Sequence, residues 1–172
     1  MKELVLMMGV PGSGKSTYAR NILKYGDIYI SRDEIRYSIL TDEDDYFAKE
    51  NEVIKTFIQY IDEALIDTQY QGKVYADATH LSPKSRAQVL NQLKNKNKVS
   101  VIYLDVPLNV ILVRNAQREG RALVPENVIR RMYKSIILPT KAEGIEKLIT
   151  IDENQEVKEI RELWFSAHLI CI

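Results

Sequence analysis

Nine residues near the start of the chain, Gly9-Val10-Pro11-Gly12-Ser13-Gly14-Lys15-Ser16-Thr17, limit what it can fold into more than any other feature. They obey the spacing G-x-x-x-x-G-K-[ST]. The apolar run Leu4–Met8 precedes them, and a helical pattern over 16–24 follows. A buried strand, a glycine-rich turn and a helix in that order aim backbone N–H groups and the positive end of a helix at one point, where an anion binds. In such a loop Lys15 reaches the β- and γ-phosphates of a nucleoside triphosphate, and the Ser16 hydroxyl holds magnesium. Pro11, Gly12, Ser13, Gly14, Lys15, Ser16 and Thr17 therefore form the candidate cradle. ATP and Mg2+ are the expected cofactors.

The rest of the chain alternates short β-type runs with helical ones. Further strands are expected at 27–30, 73–77, 99–105 and 148–151. Helices are expected at 32–40, 46–70, 83–94, 107–118 and 125–137, with a last one near 155–166. Pro83, Pro107 and Pro125 stand where helices begin, a position that tolerates proline. This alternation describes an α/β chain of three layers, a roughly five-stranded parallel sheet flanked by helices, with near-continuous apolar strands covered on both faces. One domain of 172 residues is expected, with a lid near 114–135 and a C-terminal helix or tail at 153–172. The ligand site of such a sheet lies at the carboxyl ends of its strands.

Composition narrows the function. Lys plus Arg and Asp plus Glu each number 24, so the chain lacks a general basic coat for nucleic acid, though not a local patch. Cys171 is the single cysteine, which excludes an internal disulfide and a cysteine-based zinc cluster. No run approaches the ~18 apolar residues of a membrane span. A reducing, cytoplasmic setting is expected. Charge is nonetheless uneven. Asp42–Glu52 carries six acids and Lys49, and reads as a solvated helix face. Arg114–Lys134 carries six bases and two acids, and follows the fourth strand towards the site.

Three segments after strands carry further chemistry. In Ser31-Arg32-Asp33-Glu34-Ile35-Arg36, Asp33 and Arg36 share a helix face. A carboxylate there can take the proton of an attacking hydroxyl, and an arginine can clamp a phosphate on the acceptor. In Asp77-Ala78-Thr79-His80, an acid ending an apolar strand suits magnesium or its waters, with Asp105 as the alternative. Thr79 and His80 would face the acceptor, His80 as a neutral hydrogen-bonding group, and Ser82 would cap the helix at Pro83. Arg114 and Arg118, four apart on one helix face, would neutralise charge building on the γ-phosphate, with Gly120 as hinge of a lid that excludes water.

Taken in order, Gly-x-Pro-Gly-Ser-Gly-Lys-Ser-Thr, Ser-Arg-Asp-Glu-x-Arg, Asp-Ala-Thr-His-Leu-Ser-Pro, Asp105-Val106-Pro107 and Val124-Pro125 resemble the 5′-hydroxyl kinase domain of polynucleotide kinases, within the P-loop NTPase superfamily. The resemblance spans roughly 1–137. It implies transfer of the γ-phosphate of ATP to the 5′-hydroxyl end of DNA or RNA, as in nucleic-acid end repair. It also implies Asp33 as general base, Arg36 as the contact to the acceptor's phosphate, and Lys15, Ser16 and Arg118 at the γ-phosphate and magnesium. A phosphatase or ligase partner would then lie outside the kinase segment, and a homo-oligomer stays open. The terminal Trp164, Phe165, Leu169 and Ile170 read as helix packing or a subunit contact. Two rivals remain on the same loop: a kinase for a small hydroxyl substrate (a sugar, nucleoside or sugar nucleotide) and a non-catalytic ATP-binding module. The absence of Asn-Lys-x-Asp weighs against a GTPase.

Overall fold

The computed structural model describes residues 2–94 and 98–163. Its strands are β1 (Glu3–Met8), β2 (Ile28–Ser31), β3 (Val74–Asp77), β4 (Lys98–Leu104), β5 (Lys147–Ile151) and β6 (Val157–Glu162). Its α-helices are α1 (Lys15–Ile22), α2 (Arg32–Ile39), α3 (Glu50–Ile66), α4 (Pro83–Leu90), α5 (Leu108–Ala116) and α6 (Glu126–Lys134). The sheet order is β2-β3-β1-β4-β5-β6. The first five are parallel, as the alternation predicts, and β6 runs antiparallel to β5.

The three layers follow from the period of two along β1. Leu4, Leu6 and Met8 pack with Val53, Phe57 and Ile61 of α3, Ile35 of α2 and Val89 of α4. Val5 and Met7 pack on the opposite face with Ala19 of α1, Ile111 of α5 and Ile129 of α6. These β1 residues are at most 2% exposed. Burying a side chain of this size contributes roughly 1.5–3 kcal/mol.

Helix starts follow local chemistry. The Ser31 side chain accepts a hydrogen bond from Glu34 N and caps α2, whose first turn holds Asp33 and Glu34. Ser82 and Ser85 close a reciprocal cap on α4, with Pro83 at its first position, which is the capping role expected of Ser82. One fully buried arginine ties this region together. Arg86 donates to both Glu143 oxygens, at 2.7 and 3.0 Å, and to the carbonyls of His80 and Ile137, each at 2.9 Å.

Two elements differ from expectation. The helix expected at 46–70 starts at Glu50, because the Asp44 carboxylate accepts from Thr41 N and Oγ1, both at 2.9 Å, and turns the chain before it. The helix expected near 155–166 is replaced by β6 over Val157–Glu162. Asp152 Oδ1 accepts from Asn154 N and Glu156 N, and Gln155 takes a left-handed φ of 67°. The chain is thereby folded back onto the free edge of β5, where backbone pairing outweighs the helical propensity of a Lys/Glu/Arg-rich run. The expected tail contact through Trp164 and beyond lies outside the described residues.

Candidate active site

The carboxyl ends of β1, β2 and β3 deliver their following residues to one cleft of about 290 Å³. Pro11, Lys15 and Ser16 form one wall, Arg32, Asp33 and Arg36 another, and Asp77, Ala78 and Thr79 the floor. Arg118, Val124, Val128 and Met132 roof it. The loop hangs from the neighbouring strand through Gly9 N donating to Thr79 O at 3.1 Å. Gly12 has φ +87°, and a Cβ there would lie 3.0 Å from the Ile111 carbonyl, so only glycine lets the loop pack against α5. The Ser13 hydroxyl, 2% exposed as a residue, carries no partner among the described residues. A buried orphan hydroxyl inside a glycine cradle fits a phosphate that would supply its bond.

Lys15 Nζ donates only weakly, to Val10 O at 3.3 Å. Burial pulls its pKa below the ordinary lysine value, Arg118 adds to that, and Asp77 and Asp33 oppose it. An incoming polyphosphate would favour the charged form further. Ser16 Oγ donates to Asp77 Oδ2 at 2.5 Å, and the Tyr29 hydroxyl donates to the same oxygen at 2.6 Å. A hydroxyl beside a carboxylate is an all-oxygen donor set, which suits Mg2+ with waters and phosphate oxygens completing its shell. Asp105 is engaged elsewhere, accepting from Lys158 Nζ at 2.6 Å and from the Tyr103 hydroxyl at 3.2 Å. Of the two acids ending strands, Asp77 is therefore the one in the cleft.

Across from the loop stands a linked group of charges. The Asp33 side chain is 67% exposed, whereas that of Arg36 is 3% exposed. Arg36 Nη1 donates to Asp33 Oδ1 at 2.6 Å and to the Tyr46 hydroxyl at 2.9 Å, while Nη2 donates to Glu50 Oε2 at 2.7 Å. Arg32 donates to the other Glu50 oxygen. Burial works against the Arg36 charge, but Glu50, Tyr46 and Asp33 outweigh it and its pKa is raised. The Tyr46 hydroxyl also donates to Asp33 Oδ1 at 3.1 Å, and burial together with Asp33 pushes its pKa up to about 12. Asp33 is thus held by two donors on one oxygen while it faces the cleft, the arrangement a base needs for orientation. The Nε atoms of Arg32 and Arg36 are buried without partners among the described residues.

Other expected site residues are placed differently. His80 is 3% exposed and packs 6.3 Å from Phe57 between ring centroids, beneath the cleft rather than in its lining. Its left-handed backbone, φ 45°, turns the chain from β3 into the α4 cap. Thr79 does reach the floor, whereas Thr17 is exposed on α1 outside the lining. Arg114 and Arg118 do not share a helix face, because α5 ends at Ala116. Arg114 instead donates to Glu153 O at 2.9 Å and to Ser13 O at 3.4 Å, bracing the loop from outside, and Arg118 alone enters the cleft. Tyr29, Arg32, Tyr46 and Glu50 join the site without having been singled out. Arg32 lay inside a quoted motif, whereas Tyr46 and Glu50 lay in the acidic run read as solvated.

The segment between Arg118 and Pro125 runs over the cleft. Asn115, 4% exposed, clamps it by donating to Val124 O at 2.8 Å and accepting from Val124 N at 3.2 Å. At its tip, Arg121 Nη2 donates to the carbonyls of Thr41, Asp42 and Asp44 at 2.9–3.2 Å. This segment therefore bridges the cleft to the residues before α3.

The family profile described as "AAA domain" matches residues 4–139. The chain is 26% identical over 150 residues to a protein of Autographa californica nuclear polyhedrosis virus named as a bifunctional polynucleotide kinase/RNA ligase. That match covers 79% of this chain but 21% of the relative, so the chain spans about a fifth of the length of that protein. Among solved structures, a sugar kinase from Janibacter sp. HTCC2649 superposes with a TM-score of 0.63 at 22% identity, covering 91% of this chain and 88% of the other. A chain of the Pnkp1/Rnl/Hen1 RNA repair complex superposes at 0.62 and 16% identity, covering 99% of this chain and 51% of the other. Both likenesses are to the fold.

Proposed function

The chain belongs to the AAA domain family, and from that premise we propose that it is an ATP-dependent polynucleotide 5′-hydroxyl kinase. One observation carries the reading. An exposed, doubly oriented carboxylate, Asp33, shares a single cleft with a phosphate cradle and the Ser16–Asp77 oxygen pair. Donor, base and acceptor space therefore meet in one place.

The cradle and Lys15 hold the β- and γ-phosphates. Ser16 and Asp77 are the residues that would hold Mg2+, which neutralises charge on the phosphate oxygens when bound. Asp33 accepts the proton of the acceptor's 5′-hydroxyl. The freed oxygen forms its bond to the γ-phosphorus as the bond from that phosphorus to the bridging oxygen breaks, and ADP leaves. Arg118 stabilises charge on the transferring group, and the roof of Val124, Val128 and Met132 excludes water that would otherwise be the acceptor. Arg32 and Arg36, whose buried Nε atoms lack partners among the described residues, supply positive potential for the acceptor's phosphate. The named activity of the viral relative supports a polynucleotide acceptor, and a ligase on another segment or chain would use the 5′-phosphate made here.

A kinase for a small hydroxyl substrate is the second reading. The cleft volume of about 290 Å³ and the zero net charge favour it, and the sugar kinase superposes over nearly its whole length. Asp33→Ala tests the mechanism common to both. Transfer is expected to fall ~10²–10⁴-fold while ATP affinity stays within two-fold. Transfer at the wild-type rate removes Asp33 as the base.

A further inference from the structure

Three aromatic rings lie in contact beside the base, and the chemistry proposed so far uses only the hydroxyl of one. Tyr46 and Phe47 meet edge to face with centroids 4.8 Å apart, and Tyr37 lies 6.4 Å from Tyr46. Phe47 lines the cleft and is nevertheless 68% exposed. Tyr37 is 44% exposed. A phenylalanine this open on a turn normally folds inward, because leaving it in water forfeits its burial. This one is propped outward. Tyr46 beneath it is fixed by its bonds to Asp33 and Arg36, and the Arg36 guanidinium lies 4.5 Å from the Tyr46 centroid and 5.7 Å from the Phe47 centroid. The turn itself is tied at both ends, by Thr41 to Asp44 and by Lys49 Nζ to Asp44 at 2.9 Å.

We propose that Phe47 is a specificity-determining residue that stacks on the nucleobase of the acceptor's 5′-terminal nucleotide, holding its hydroxyl at Asp33. The inference rests on the polynucleotide reading above. A flat ring next to a base-orienting arginine suits a partner that carries both a π-face and a phosphate, as a nucleotide does and a sugar does not. Charge agrees with geometry, since Arg32, Arg36 and Arg118 line the same cleft. Stacking of this kind tolerates any base, so it selects nucleotides as a class without reading their sequence.

The test compares two DNA oligonucleotides of the same length, one with an ordinary 5′-terminal nucleotide and one whose 5′-terminal sugar lacks its base. The quantity read is the ratio of their kcat/KM values. Wild type is expected to favour the base-bearing end about ten-fold, the low-to-middle range of measured base–aromatic stacking. In Phe47→Ala the ratio should fall to about one, and in Phe47→Trp it should return. A 2-aminopurine at the 5′ end should be quenched on binding wild type and remain bright with Phe47→Ala. A wild-type ratio near one, or an unchanged ratio in Phe47→Ala, overturns the stacking role while leaving the kinase intact. Failure of wild type to phosphorylate either oligonucleotide, with ATP still bound, overturns both the stacking role and the polynucleotide reading.

Discussion

Single side chains here do work that their neighbours in sequence conceal. His80 sits in a motif expected to face the acceptor, yet burial drives its pKa down to about 3, with Arg32, Arg86 and Lys15 pushing the same way. Burial thereby favours the neutral ring, which lies beneath the cleft and outside its lining. Its burial has a consequence for stability. Below its ordinary value of 6.5 the unfolded chain takes up a proton at this ring that the folded chain refuses. Stability contributed here is present above pH 6.5 and lost as pH falls towards 3, at no more than about 1.4 kcal/mol per pH unit. His80→Asn keeps a side chain that tolerates the left-handed backbone and removes this proton. Urea unfolding at pH 7, 5.5 and 4.5 should show wild type losing more stability than the variant across that range. Parallel losses would mean that other groups carry the acid sensitivity. At the same scale, Asp33 and Arg36 were legible in the sequence because a three-residue spacing on a helix brings side chains together. Glu50, which joins Arg32 to Arg36, was not, because nothing local signals a contact made by folding α3 against α2.

Elements were legible where local rules and the tertiary fold agree. The order of β1, the phosphate loop and α1 is written in glycine spacing, and the caps of α2 and α4 in Ser31 and Ser82. Legibility failed where tertiary context overrode propensity. Val157–Glu162 is exposed along its whole length and lacks the alternation that marks a strand, so its residues read as helix until the open edge of β5 captures them. Tyr46 and Phe47 read as the start of a long helix, whereas the Asp44 turn holds them outside it and gives the cleft its aromatic rim. The Arg114–Arg118 spacing implied a shared face, but α5 stops between them and splits their tasks. In the proposed mechanism the segment over 118–125 acts as the lid that excludes water. Its tip is held by one exposed arginine on three carbonyls, a contact worth about 0.5–1 kcal/mol. Arg121→Ala should therefore raise the ratio of ATP hydrolysed to phosphate transferred about two- to five-fold, measured as released phosphate against labelled acceptor. An unchanged ratio would show that the latch does not keep water out.

At the scale of the molecule, one acidic and one basic segment meet above the cleft. The acidic segment before and into α3 and the basic segment through the lid and α6 carry opposite net charge, and Arg121 joins them above the cleft. A zero total charge is thereby compatible with a cationic cleft, and among the described residues no helix is long and apolar enough to cross a membrane. Such a distribution predicts strong local and weak long-range attraction for a polyanion. The identity of the acceptor is tested by transfer of labelled γ-phosphate from Mg–ATP to 5′-hydroxyl DNA, 5′-hydroxyl RNA and gluconate, a small hydroxyl acceptor, side by side, with Lys15→Ala as control. Label on the 5′ end of an oligonucleotide, lost in the control and falling as salt rises, is the expected result. Label on gluconate alone, insensitive to salt, would rule out the polynucleotide acceptor and make this cleft that of a small-molecule kinase.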